Sequence, residues 1–163
     1  MHTAMKITTL LLALAPAMAS AAPHDAEVAA VRALYARYAA ESVFDDAGGP
    51  TLATAPRAVL QQHFTDELAQ LWLRDRDCVA RTRAICRIDF APLWDSQDPV
   101  GSTVKLNWDD SGQVIAQLNR RGGSPRTLAF SMALKNGHWR VADIDFGPGR
   151  TSLRRLLEAP VPR

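Results

Sequence analysis

The stretch that decides the fold is Thr127–Phe146, TLAFSMALKNGHWRVADIDF. Asn136-Gly137 is a preferred pair for a two-residue type I′ turn, because both central residues need positive φ. Before it, Leu128, Phe130, Met132 and Leu134 alternate with Ala129, Ser131, Ala133 and Lys135, the period of a half-buried strand. A two-residue loop sets Lys135 opposite His138, Leu134 opposite Trp139 and Met132 opposite Val141, so the large apolar side chains share a face. Continued without interruption, the same register sets Asp143 opposite Phe130. Either Asp143 lines a pocket on the apolar face, or a bulge between Val141 and Ile144 turns it outward. The parity of Ala142, Ile144 and Phe146, opposite to that of Trp139 and Val141, fits the bulge, since one extra residue exchanges the faces of all that follow.

A second hairpin precedes the first. Val104, Leu106 and Trp108 alternate with Thr103, Lys105 and Asn107, Asp109-Asp110-Ser111-Gly112 is a turn cluster, and Val114, Ala116 and Leu118 return. The segment Arg120–Pro125 links the two hairpins. Upstream lie helices. Glu27–Phe44 carries one apolar stripe, Val28, Val31, Leu34, Tyr35 and Tyr38, with Asp25 as N-cap. Thr54 and Pro56 open a second helix, whose stripe of Val59, Leu60, His63, Phe64, Leu68, Leu71 and Trp72 breaks at Thr65-Asp66. A third, short helix follows over roughly residues 66–77. After Phe146, Gly147-Pro148-Gly149 breaks the strand, and Thr151 or Ser152 caps a short basic helix with Leu153, Leu156 and Leu157 inside. Helices and strands are thus segregated, which predicts an α+β class: N-terminal helices packed on a curved four-stranded antiparallel sheet, with a short C-terminal helix.

The chain has 163 residues. Residues 1–21 read as a secretory signal peptide: Lys6 supplies the positive n-region, Ile7–Ala15 the apolar h-region, and Ala17-Met18-Ala19 or Ala19-Ser20-Ala21 the cleavage site. The h-region is too short for a membrane span, so no span is expected in the mature chain. Residues 22–163 then form a single domain in the periplasm or outside the cell. The formal charge of +2 falls to +1 without Lys6, which argues against a general nucleic-acid binder. The eight arginines from Arg74 to Arg126 read as a solvated surface. Cys78 and Cys86 are the only cysteines; in an exported chain an even count predicts a disulfide.

Arg87–Pro99, RIDFAPLWDSQDP, has no period. Phe90, Leu93 and Trp94 with Asp89, Asp95 and Asp98 describe either an acidic pocket rim beside aromatic walls or a structured loop whose aspartates cap backbone N–H groups. The glycine and terminal glutamate of a calcium loop are missing, and no metal or cofactor is expected. His63 reads as a helix-boundary histidine rather than a catalytic one.

The order of two helices, an acidic Gln-Asp-Pro loop, two hairpins and Ser-Leu-Arg-Arg-Leu-Leu resembles a family of uncharacterised exported bacterial proteins, some of them lipoproteins. That family is grouped with the nuclear-transport-factor-like, or cystatin-like, α+β cone. The residues that carry the resemblance are Val31–Tyr35 with Tyr38, Phe64 with Leu68, Asp95–Asp98, Trp139–Gly147 and Ser152–Leu157. The chain departs from it in lacking a lipid-attachment cysteine and in having Ala91-Pro92-Leu93 where Asp-Pro-Phe is expected. The resemblance implies a fold and an export route, and no reaction.

A cone leaves a concave face, the default ligand site of such a fold. Its expected walls are Tyr35, Tyr38, Trp94, Trp108, Phe130 and Trp139, with Asp143 and Asp98 as polar points. The first functional expectation is a non-enzymatic binding domain for a small molecule or a protein partner in the cell envelope. The second is a small enzyme with Asp143 as general base and Tyr35 or Asp98 as acid or oxyanion donor. No nucleophile elbow, phosphate loop, zinc helix or dinucleotide fingerprint is present, which favours binding.

Overall fold

A computed structural model describes residues 24–43, 50–120 and 122–160. The expected signal peptide and Phe44 lie outside the described residues. The order of elements is α1 (Asp25–Arg37), α2 (Arg57–His63), α3 (Asp66–Thr82), β1 (Ser102–Trp108), β2 (Val114–Arg120), β3 (Arg126–Lys135), β4 (His138–Asp145) and α4 (Leu153–Glu158), with 3₁₀ turns at Ala39–Ser42 and Leu52–Thr54. The four strands form one open antiparallel sheet in the order β1-β2-β3-β4.

The β3–β4 hairpin has the register expected from its turn. Leu134 pairs with Trp139 and Met132 with Val141, and Asn136 and Gly137 both have positive φ. Ala142 is then skipped: Ser131 pairs with Asp143 and Phe130 with Ile144. Of the two alternatives for this stretch, the bulge is the one present. It lets Val141 and Ile144 face the core together, which an unbroken strand would forbid because of its period of two.

Val114, Ala116, Leu118, Leu128, Phe130, Val141 and Ile144 bury one face of the sheet against Val31, Leu34 and Tyr35 of α1, Leu60 of α2, Leu68, Leu71 and Trp72 of α3, and Leu153 and Leu157 of α4. On the other face Thr103, Lys105, Gln117, Asn119 and Thr127 are exposed. The alternation of the strands therefore dictates that the helices lie on one side.

Helix boundaries differ from the expectation in physically plain ways. Helix α1 ends at Arg37 and tightens into the Ala39–Ser42 turn. It begins with His24 rather than Asp25 at the N-cap, in a left-handed conformation. Thr54 does not cap α2; the Thr51 hydroxyl takes the Thr54 amide, and Pro56 precedes the first turn of α2. Thr65 caps α3 through the Leu68 amide. This helix runs five residues beyond Asp77, because its charged residues fall around a continuing buried line of Leu68, Leu71, Trp72, Asp75 and Cys78. Ser152 sits at the N-cap of α4 without a side-chain bond; the capping oxygen comes from Asp143 instead, which accepts the Arg154 amide at 2.8 Å.

Cys78 and Cys86 are disulfide-bonded. No helix among the described residues is long and apolar enough to cross a membrane.

Candidate functional site

The aromatic residues expected to wall a concave site are in large part interior. Tyr35, Tyr38, Trp94 and Phe130 are buried. Tyr35 meets Trp94 and Phe130 edge to face, with ring centroids 5.2 and 6.0 Å away, and its hydroxyl donates to the Leu93 carbonyl at 2.7 Å. Burial pushes the Tyr35 phenol far above its ordinary value, so it is a fixed donor that holds the 88–100 loop. Tyr38 packs its edge toward His63 at 6.4 Å. Its hydroxyl is buried without a hydrogen-bond partner of normal geometry among the described residues. Burial raises the Tyr38 phenol against the opposing pull of neighbouring Arg37.

Trp108 and Trp139 are half-buried. Trp108 stacks on the His24 ring at 4.0 Å and so fastens the start of α1 to the end of β1. Asp143 is half-buried, and its Oδ1 accepts from the amides of Ile144 and Arg154 at 2.8 Å each. Asp98 accepts from the Val100 amide at 3.2 Å.

A cleft lies elsewhere, of about 870 Å³ and bounded by α3, the 50–54 turn and the 88–100 loop. One wall is a second stripe of α3, Trp72, Asp75, Arg76, Val79 and Ala80, at the i, i+3, i+4, i+7, i+8 spacing of one helix face. The opposite wall is Ile88, Phe90 and Pro92, with exposed Asp89, and Gln97 to Val100, at the lip. Leu52 and Glu41 close the end. Of the residues expected at a ligand site, only Asp98 lines this cleft; Tyr35, Tyr38, Trp94, Trp108, Trp139 and Asp143 do not. Trp94 stands behind it, donating its indole N–H to Glu41 at 3.2 Å.

The cleft is held open by its supports. The Arg76 guanidinium donates to the Ala55 carbonyl and pins the 50–55 segment to α3. The Leu52 amide donates to Glu41 at 2.7 Å. The 88–100 loop closes on itself through the Ala91 amide and the Ser96 carbonyl at 2.8 Å. Beyond the cleft, buried Asp95 takes Arg150 at 2.5 Å and Arg126 at 3.8 Å, and Arg120 donates to Ser96 at 2.7 Å. Four arginines expected on a solvated surface, Arg76, Arg87, Arg120 and Arg126, therefore tie segments together.

The cleft's electrostatics are one-sided. Among the described residues Glu41, Asp75, Asp77, Asp89 and Asp98 line it against a single guanidinium, Arg76. Burial pushes the Glu41 carboxyl up, and the bonds from Leu52 and Trp94 pull it back down. Asp75 is buried and paired at one oxygen with Arg87 at 3.4 Å.

Both readings of Arg87–Pro99 describe part of what is there. Phe90, Asp89 and Asp98 line the cleft, and Asp98 takes a backbone N–H, while Asp95 pairs with arginine side chains rather than capping an amide. Glu41, Asp75 and the Leu52 turn were not singled out in the sequence. The signal for Asp75 is the stripe from Trp72 to Ala80, which becomes readable once α3 is carried to Thr82. Glu41 has no such signal, because its partners lie 11 and 53 residues away.

No family model, curated protein or solved structure matches the chain.

Proposed function

We propose that the chain is a non-enzymatic binding domain of the cell envelope, periplasmic or secreted, that takes its ligand in the cleft between α3 and the 88–100 loop. The observation that carries the reading is that cleft: about 870 Å³, lined by apolar side chains together with polar and charged groups, the constitution of a small-molecule site. The disulfide supports the extracytoplasmic location, as does the signal-like N-terminus. The exported-protein family with a nuclear-transport-factor-like cone remains the kinship we propose. Helices on one face of a four-stranded antiparallel sheet and the bulge in β4 support it.

Asp143 gives the enzymatic alternative little support. Its Oδ1 already accepts two amides, which is the work of a helix cap.

The test is a fragment screen on the 15N-labelled mature chain by amide NMR. Hits are expected to move the signals of Asp75–Ala80 and Ile88–Ala91 together. Hits scattered over the exposed sheet face, with those two segments still, overturn the reading. Fractionation of cells carrying the full chain, with N-terminal sequencing of the product, tests export; an uncleaved cytoplasmic chain overturns that part.

A further inference from the structure

The lining of the cleft specifies the kind of ligand more narrowly than its volume does. We propose that it is a site for an amphipathic organic cation, an ammonium, guanidinium or amidinium group on an apolar body. This deepens the binding reading above and rests on it.

Three observations carry the proposal. First, the lining has the opposite sign to the molecule. Among the described residues five carboxylates and one guanidinium line the cleft, whereas the whole chain carries +2. Low-dielectric walls of one charge focus the field and concentrate the counter-ion. The one lining cation among the described residues, Arg76, is already committed to the Ala55 carbonyl.

Second, Asp75 is a largely buried, ion-paired carboxylate with one oxygen open to the cleft. Its side chain is 9 % exposed, yet its one ion pair is with Arg87 at 3.4 Å, through Oδ1. Its other oxygen takes no hydrogen bond among the described residues and is not sealed from solvent, and the residue lines the cleft. That oxygen is open to a donor entering the cleft, and a hydrogen bond from a cation to a carboxylate is stronger than one between neutral groups.

Third, the apolar part is continuous. Trp72, Val79, Ile88, Phe90 and Leu52 line the cleft among the acids, so a bare inorganic ion would leave those apolar walls wet. The acids are also spread around the walls rather than convergent: among the described residues no three metal-ligating side chains stand close enough to hold an ion. A cation with a flat or aliphatic body satisfies both parts, with the charge toward Asp75 and the body against Trp72 and Phe90. Such a group could belong to a free amine or to an arginine or lysine side chain of a partner protein, and the chemistry at the walls is the same for both.

The experiment uses the full mature chain and three probes of one shape, benzamidine, benzamide and benzoate, followed by amide NMR and titration calorimetry. Benzamidine is expected to bind at the cleft about tenfold more tightly than benzamide, with benzoate weakest and calcium chloride at equal concentration not displacing it. Asp75→Asn should lower benzamidine affinity by about tenfold and leave benzamide unchanged. Should Asp75→Asn fail to fold, Asp89→Asn, at the exposed lip, should lower it by about threefold and flatten its salt dependence. Agmatine against a blocked Gly-Arg-Gly peptide then separates the sources: the tighter of the two identifies a free amine or a partner side chain. Equal binding of benzamidine and benzamide, tighter benzoate, or displacement by calcium overturns the cationic ligand while leaving the cleft as a site. Failure of every probe to move cleft signals, together with a fragment screen that also misses it, removes the site itself.

Discussion

At the scale of single residues, Asp143 and His63 both have quieter roles than their chemistry suggests, and each can be tested. The Asp143 carboxylate closes the first turn of α4 from the adjoining strand, taking the Arg154 amide, while the Arg154 side chain returns to the Ala142 carbonyl at 2.8 Å. Asp143→Ala is expected to lower stability by about 1 kcal/mol, the usual cost of losing a capping oxygen. Asp143→Asn, which keeps one acceptor, should cost less than half as much; urea unfolding of the two variants measures the difference. His63 ends α2, and its imidazole is held below its ordinary pKa by burial first and by Arg37 and Arg140 second. As pH falls through about 6.5, the unfolded chain takes up a proton that the folded one declines. Stability therefore drops on acidification until the lower folded value is passed. In His63→Gln the urea midpoint should change less between pH 7.5 and 5.5 than in the parent.

At the scale of elements, the two hairpins were legible because strand period and turn chemistry are local. Asn136-Gly137 fixed the register, while the parity change after Val141 left a bulge and an inward Asp143 as alternatives that only the register of β4 decides. Helix ends were less legible. The run of charges after Leu73 reads as an end to α3, yet Asp75 and Cys78 are inside, buried by segments remote in sequence. The disulfide joins the last turn of α3 to the residue from which the opposite cleft wall departs, Cys86, so it sets the separation of the two walls. Closing a loop of 8 residues' separation removes unfolded-state entropy worth about 2.5 kcal/mol. Cys78→Ala with Cys86→Ala should lose about that much in urea unfolding. Amide exchange in that variant should quicken first at Arg83–Ile88.

At the scale of the whole molecule, the site was the least legible part. The acids of Arg87–Pro99 and their aromatic neighbours were visible in the sequence, but the side of the fold on which they open was not. Tyr35 and Trp94 looked like ligand walls because aromatic content alone does not distinguish a lining from a core. The structure instead uses them to anchor the loop from behind. The loop's other anchor is Asp95, whose side chain is 3 % exposed and which gathers Arg150 and Arg126. It joins the loop to the start of β3 and to the turn after β4. Its two partners are largely in water, so the pairs are screened. Asp95→Asn, which tolerates the positive φ at this position, is expected to cost about 1–2 kcal/mol. It should also weaken any ligand of the cleft without altering a residue that touches it, a split that urea unfolding and calorimetry read separately.

The segment between α2 and α3 lies along the outer side of β4, where the Thr65 amide donates to the Val141 carbonyl at 2.9 Å and Phe64 forms a parallel bridge to the same residue. A ribbon that polymerises by adding copies side by side needs two open borders on each copy. Here one border is interrupted at its middle by the chain's own backbone. Growth of that kind could begin at β1 and would stop after a single pairing, so the fold carries its own terminator against fibre formation.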